Sequence, residues 1–454
     1  MRQILIVDDD PAVTNYLKVF MMQTGLFETT IVNDSREVGP LLDKMTFDIM
    51  LLDMDMPNVN GMDILAEMRR KRMDTPVVVL TGVSDVDLAV RAMKLGAFDY
   101  LTKPADDDQL LGVIDQAIEH RALRQTIQDL PKELSLADLQ HGAAFDHFPT
   151  QDAEMIRIFH QAEKLAASNL SIFIRGESGT GKEAIARAIH KASPRRDAPF
   201  VVVEASGQDV EDFPGFFFGQ ARNWSGSRDE APGILEQANH GTLFLNQVDA
   251  LSLPVQVRLL RVIQTSEYYK ENSTQILKAD ARMIVASTKD LTRPEYKQTF
   301  LRDLLYHLMI NSLWVPPLRE RMGDLPLMAR KFLTEEAHKL GKPLTGFAPE
   351  FLEFLKDYSF PNNVQELRTI VAAAAANAAE GPVTLESLPS YTRETIEREK
   401  AAPREGFKPR RLDEVMKEYA QKTLEHFGSR RDVAAEALGI SREELDRLTE
   451  EELD

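Results

Sequence analysis

Four strand-like apolar runs near the start of the chain end in residues able to do chemistry. Asp8 and Asp9 follow Gln3–Val7, Asp53 follows Asp48–Leu52, Thr81 follows Val77–Leu80 and Lys103 follows Asp99–Leu101. Carboxylates gathered in one place bind a hard cation such as Mg2+, which prefers oxygen ligands and keeps several waters. A carboxylate is also a nucleophile able to take a phosphoryl group. The metal and the Lys103 ammonium would neutralise the charge that develops on the transferring group. The Thr81 hydroxyl could then hydrogen-bond a phosphoryl oxygen and draw its loop inward. The plainer alternative is a solvated acidic rim, and the agreement at every one of these strand ends speaks against it.

A second set of residues suits phosphate binding. Gly176-Glu177-Ser178-Gly179-Thr180-Gly181-Lys182 follows the expected strand Ser171–Arg175 and opens a helix. In that setting backbone N–H groups and the helix N-terminus cradle phosphates, and the lysine reaches the outer phosphates of ATP or ADP. Glu183 stands where Ser or Thr usually follows the lysine.

These residues need strands whose carboxyl ends meet. Residues 1–122 alternate Gln3–Val7, Thr29–Val32, Asp48–Leu52, Val77–Leu80 and Asp99–Leu101 with amphipathic stretches. That pattern predicts an α/β fold, a (βα)5 doubly wound parallel sheet with its function at the strand carboxyl ends. Residues 123–145 lose the pattern and gather breaks at Pro131 and Gly142, so a linker is expected there. A second α/β block, residues 146–388, carries Ser171–Arg175, Phe200–Val203, Thr242–Leu245 and Arg282–Ala286. From Gly323 to Glu380 its pattern is helical only, stopped by Glu380-Gly381-Pro382. Residues 389–411 are charged and apolar-poor, the composition of a flexible tether. Helices are expected over Leu412–Phe427, Arg431–Leu438 and Ser441–Leu448, with Gly439 at the last turn.

A chain of 454 residues with 43% hydrophobic and 28% charged residues has apolar mass for several globular domains. The absence of cysteine excludes disulfides, thiolate metal sites and thiol catalysis. Ile4–Val7 is too short for a signal peptide and no run is long enough to span a bilayer, so a cytoplasmic protein without membrane contact is expected. A net charge of −18 repels nucleic acid unless a local basic face compensates.

The segments Leu51-Leu52-Asp53-Met54-Asp55-Met56-Pro57 through Asn60-Gly61, and Tyr100-Leu101-Thr102-Lys103-Pro104, resemble the receiver domain of response regulators. The resemblance covers the first domain. It implies that Asp53 is the phosphoacceptor for a cognate histidine kinase and that Asp8 and Asp9 hold Mg2+ with it. It also makes Thr81 and Lys103 the switch pair, with Tyr100 the aromatic that repositions with Thr81.

The second block resembles the AAA+ domain of sigma-54-dependent, NtrC-like activators. The match is carried by Gly176–Glu183, Gly241–Leu245, Pro316–Arg321 and Val364–Leu367, and implies an α/β part to about Met322 followed by a helical lid. That family normally has Glu at the Glu183 position and self-associates, as a dimer or a ring. Its second nucleotide motif ends in Asp-Glu, the Asp holding Mg2+ and the Glu polarising the attacking water. Here Asn246-Gln247 stand instead; they keep the shape of the acids, lose the charge and cannot act as bases at neutral pH. The family's sensor asparagine is Thr288. Its two trans-acting arginines align with Leu301 and His307, although Arg302 sits one place away. The lid arginine aligns with Gln365, and the asparagine that switches the catalytic glutamate aligns with Glu204. Losing one trans-acting arginine can cost about 10³–10⁵ in rate. With all these positions changed, the expectation is a module that binds nucleotide without turning it over. The family's sigma-54-gripping loop corresponds to Gln220–Ser227, where Trp224-Ser225-Gly226 could present an apolar tip to a protein partner or simply stand exposed.

Asp432-Val433-Ala434-Ala435 and Leu438-Gly439-Ile440-Ser441 resemble a Fis-type helix-turn-helix, expected as a small all-α domain over residues 412–454. The recognition helix of that type is basic. From Ser441 to Asp454 this chain has two basic residues, Arg442 and Arg447, against seven acidic ones, a face that a phosphate-lined groove should reject. Arg430, Arg431 and Arg442 could still touch a DNA backbone at one edge, but dimerisation or partner docking is the favoured use. The expected function is a phosphorylation-controlled regulator whose P-loop domain serves oligomerisation or partner binding. The rivals are a working ATP-driven sigma-54 activator and a sigma-54-independent DNA-binding regulator.

Overall fold

The computed structural model describes the chain except residues 83–85, 132, 208, 222–229, 402–411, 428–429 and 450–454. It divides into two units, Met1–Pro389 and Ser390–Asp454.

The first unit opens with β1 (Arg2–Val7), α1 (Pro11–Thr24), β2 (Phe27–Val32), α2 (Val38–Leu42) and β3 (Ile49–Asp53). It continues through α3 (Gly61–Arg70), β4 (Val77–Thr81), α4 (Val86–Leu95), β5 (Asp99–Thr102) and α5 (Asp107–Gln128). The strands pair in parallel in the order β2-β1-β3-β4-β5. Every residue of β3 and β4 is buried, as expected of strands covered by helices on both faces. Asp10 caps α1 by accepting the Ala12 N–H, and Gly25 ends that helix at φ +67°. The strand order reverses between β1 and β3, the place where doubly wound sheets bind ligands.

α5 does not stop where the expected linker begins. It runs to Gln128, and Leu123 and Ile127 pack against the core of the following domain. Leu139, Ala144 and Phe145 are buried in that same core. Polar composition hid this, because only a few of these residues turn inward.

The P-loop domain contains α6 (Ala153–Ala166), β6 (Ile172–Arg175), α7 (Lys182–Ala192), β7 (Phe200–Glu204), α8 (Phe213–Phe218), α9 (Ile234–Gln237) and β8 (Thr242–Asn246). Then come α10 (Leu253–Thr265), the short pair β9 (Glu267–Tyr268) and β10 (Leu277–Lys278), β11 (Arg282–Ser287), α11 (Arg302–Ile310) and β12 (Ser312–Trp314). Its parallel sheet has the order β12-β6-β11-β8-β7. The lid comprises α12 (Leu325–Leu340), β13 (Leu344–Phe347), α13 (Pro349–Lys356), α14 (Asn363–Asn377) and β14 (Gly381–Val383). It is therefore not purely helical: β13 and β14 pair in parallel, so Gly381 and Pro382 form a strand where a simple helix stop was expected.

In the second unit, α15 (Ser390–Ala401) is helical where a tether was expected. α16 (Leu412–His426), α17 (Arg431–Leu438) and α18 (Arg442–Thr449) follow. Ala420, Ala434, Ala435 and Leu445 form their small core.

Candidate functional site

The sheet reversal point holds the acidic cluster. Asp8 leaves β1 and Asp53 ends β3, and both are buried, whereas Asp9 is exposed. One carboxylate oxygen from each of the three lies within 4.8 Å of the others. Asp8 accepts the Asp10 N–H at 3.0 Å and Asp53 accepts the Asp55 N–H at 2.9 Å, which fixes both carboxylates. Lys103 Nζ bridges them, 2.5 Å from Asp8 and 2.5 Å from Asp53. Burial raises the Asp8 pKa against the opposing pull of Lys103. Lys103 loses by burial and regains more from the two carboxylates, so its pKa ends above the usual lysine value. Gly61 is required beside this pocket, because a Cβ there would stand 2.6 Å from the Asp53 carbonyl oxygen. Thr81 is buried at the end of β4 and pairs with Thr102 of β5; Tyr100, two residues earlier, is half-buried. Asp8, Asp9, Asp53 and Lys103 are therefore in one place, with Thr81 at the neighbouring strand end.

The glycine loop, Asn246 and Gln365 line a separate cleft of about 530 Å³. Gly179 carries φ +72° and passes so close to the lid that a Cβ would fall 2.0 Å from the Asn362 carbonyl oxygen. Gly181, at φ +102°, starts α7. Lys182 is buried and donates to the carbonyls of Gly176 and Glu177, each at 2.8 Å. Burial lowers its pKa to about 8. Glu177 is gripped by Arg319 at 2.7 and 2.5 Å, which holds its carboxyl below the ordinary value. Arg321, 2% exposed, donates to Thr180 O but leaves Nε and Nη1 without partners, so the cleft wall carries spare N–H donors suited to an anion.

Sequence reasoning missed several members. Phe148 and Arg368 also line the cleft. Arg368 lies one helical turn beyond Gln365 on α14, a spacing that places two side chains on one face. It now pairs with Glu335 and lies over Phe332. Asp249 accepts Ser287 Oγ at 2.8 Å, and its charge, with those of Glu204 and Glu177, acts on Lys182. Its place two residues after Gln247 was the available signal. Asn246 Nδ2 donates to both oxygens of Glu204, while its buried Oδ1 has no partner. Gln247 takes a left-handed conformation at φ +56°.

The other degenerate positions do not line this cleft among the described residues. Thr288 follows β11, and Leu301 caps α11, where its N–H donates to Gln256. His307, on the same helix, faces the receiver. The Trp224 tip lies outside the described residues; its base is closed by the pairing of Gln220 with Ala231.

Residues 4–115 match the response regulator receiver domain, 148–313 the sigma-54 interaction domain and 319–405 the AAA+ ATPase lid domain. Regulatory protein AtoC of Escherichia coli is 33% identical over 450 residues, covering 98% of this chain and 96% of AtoC. This chain belongs to the NtrC family of response regulators. NtrC of Klebsiella pneumoniae is 34% identical over 391 residues, covering 86% of this chain and 81% of NtrC. Crystal structures of NtrX from Brucella abortus with ADP and with ATP each superpose at a TM-score of 0.51, with 27% identity and 98% of both chains covered. A two-component receiver joined to a sigma-54-interaction AAA+ domain is thus the architecture of this NtrC-family chain. The lid match reaches residue 405 and so takes in α15, whose residues composition alone had assigned to a tether. No helix among the described residues is long and apolar enough to cross a membrane.

Proposed function

We propose that Asp53 accepts a phosphoryl group from a histidine kinase, and that this event governs a P-loop domain which holds ATP or ADP without hydrolysing it. Output then runs through self-association and protein contacts. The observation that carries the reading is the end of β8, where the amide of Asn246 is closed onto Glu204 and no carboxylate follows it at Gln247. An amide has no basic oxygen with which to take a proton from water at neutral pH.

In the receiver, an Asp53 oxygen forms a bond to phosphorus as the phosphorus–nitrogen bond to the donor imidazole breaks. Lys103, already between Asp8 and Asp53, pairs with the oxygens of the transferred group. Thr81 receives one of those oxygens, and Tyr100 on the neighbouring strand follows it. Three carboxylates against one ammonium suit a divalent cation. Bound Mg2+ supplies positive charge at the phosphoryl oxygens, with Asp8, Asp9 and Asp53 as its holders.

The cleft suits a nucleotide through its glycine cradle, through Lys182 and through the unsatisfied Arg321 donors. NtrX, with the same architecture, has been crystallised with ADP and with ATP. In the second unit Arg431 pairs with Asp446, and Arg442 pairs with Asp432 at 3.0 Å. Two of the three arginines that could meet DNA are thus engaged with acids, which favours protein contact there.

A second reading, a working ATP-driven activator, is favoured by the displaced charges: Glu204 beside Asn246 and Arg368 one turn from Gln365. Steady-state phosphate release decides between the two. The proposal expects none above background, with or without phosphorylation, while ATP still raises the melting temperature. Release that Lys182→Ala abolishes would establish the second reading.

A further inference from the structure

The helix that carries Leu301 and His307 is covered by the receiver. Tyr306 joins the receiver's hydrophobic cluster, which Tyr100 also borders. His307 Nε2 lies 3.3 Å from Asp99 Oδ1, and the two side chains are 8% and 3% exposed. Gln264 of α10 reaches both, 3.0 Å from His307 Nε2 and 3.4 Å from Asp99 Oδ1. From α5, Gln116 donates to the Gln264 carbonyl at 3.4 Å.

The ring nitrogens settle what this joint prefers. Nδ1 lies 2.9 Å from the Asp303 carbonyl oxygen, which can only accept, so Nδ1 carries a proton. Nε2 faces the Asp99 carboxylate, also an acceptor. A neutral ring turns a lone pair toward that carboxylate and depends on the Gln264 amide N–H for a partner. A protonated ring donates to Asp99 and leaves Gln264 to turn its amide over. The charged groups facing the ring are Asp99 from β5 and Asp303 from its own helix. The nearby titratable group on α5 is His120, whose pKa burial lowers, so it adds no charge at neutral pH.

We propose that His307 and Asp99 form a protonation-dependent latch that holds α11 against the α4–β5 face of the receiver. Burial alone would lower the His307 pKa, but Asp99 and Asp303 outweigh it and place the pKa above the ordinary histidine value. A histidine whose pKa is raised by docking stabilises docking fully below the ordinary histidine value and loses that contribution as pH rises through the docked value. Asp99 is four residues before Lys103 on the same strand and loop, and Tyr100 lies between them. Events at Asp53 therefore pull on the strand that holds the latch. This last step rests on the reading of Asp53 as the switch; the proton dependence does not.

Hydrogen exchange of the full chain between pH 5.5 and 8.5 tests the latch, read as protection of the α11 peptide after correction for intrinsic exchange. In the wild type, protection should fall ~5-fold or more as pH rises, and fall again at fixed low pH on adding beryllium fluoride with Mg2+. Asp99→Asn and, separately, His307→Asn should each flatten the pH dependence while the rest of the P-loop domain keeps its protection. A wild-type profile flat with pH, or one unchanged in His307→Asn, would overturn the latch. A normal pH profile with no beryllium fluoride effect would leave the latch standing and count against the Asp53 switch.

Discussion

Asn246 and Glu204 stand opposite each other on neighbouring parallel strands, and Asn246 Nδ2 reaches the two Glu204 oxygens at 2.9 and 3.0 Å. Replacing Asn246 by Asp would therefore set two carboxylates against each other. Like charges facing each other directly across strands are destabilising. Asn246→Asp should lower the denaturant midpoint at an unchanged slope, and Glu204→Asn in the same chain should restore it. Equal stability of the single and double variants would show that the two positions do not interact.

Restoring turnover should need more than restoring the acids. Asn246→Asp with Gln247→Glu adds a metal ligand and a base but no arginine at positions 301 and 307. Groups acting on one transition state are strongly non-additive, so phosphate release should stay near background. Activity is expected only when Leu301→Arg and His307→Arg are added. The arginine at 307 must also leave the receiver, so phosphorylation should matter most in that variant.

Lys182 gives the nucleotide-free protein a distinct pH response. Its pKa is about 8 folded against 10.5 unfolded, so the unfolded chain binds more protons between these values. Stability should rise with pH through that window. Lys182→Met should flatten the rise and abolish the melting shift produced by ATP. A saturating nucleotide should also shrink the rise in the wild type, because its phosphates favour the charged lysine. Identical pH slopes in wild type and Lys182→Met would show that the buried ammonium is not responsible.

Acetyl phosphate with Mg2+ should label the wild type and leave Asp53→Asn unlabelled. Lys103→Met should keep the fold and slow labelling by at least ~10²-fold, since it removes the positive charge that meets the developing phosphoryl charge. Normal labelling of Asp53→Asn would move the phosphoacceptor elsewhere.

The second unit should not track DNA phosphates. Duplex DNA measured at 50 and 200 mM salt should show weak binding with a nearly flat logarithmic slope, against about −0.9 for every phosphate neutralised in B-DNA. A steep slope that Arg430→Ala and Arg431→Ala reduce would restore the DNA-binding rival.

The receiver was legible from its strand ends because buried parallel strands are apolar throughout and place polar residues only at the functional edge. Asp8, Asp53 and Lys103 meet as their spacing implied. The P-loop was equally plain, since Gly179 and Gly181 take conformations that few other residues accept. The Glu204–Asn246 contact was not legible, because only the strand register sets the two residues side by side. His307 was read as a lost arginine. Its burial against Asp99 depends on the packing of two domains, which no local pattern encodes. The residues between the domains were misjudged because their few apolar side chains are spaced for someone else's core.

α5 begins on the receiver sheet and ends with Leu123 and Ile127 in the P-loop domain's core. On the ribosome the receiver strands can assemble as soon as they emerge, but the far end of this helix has nothing to pack on until α6 is made. Synthesis therefore passes through a stage with a finished receiver trailing an uncovered apolar helix end. A P-loop fragment begun at residue 146 would lack Leu123 and Ile127 and leave that core with a gap. The two domains match separate families yet share one helix.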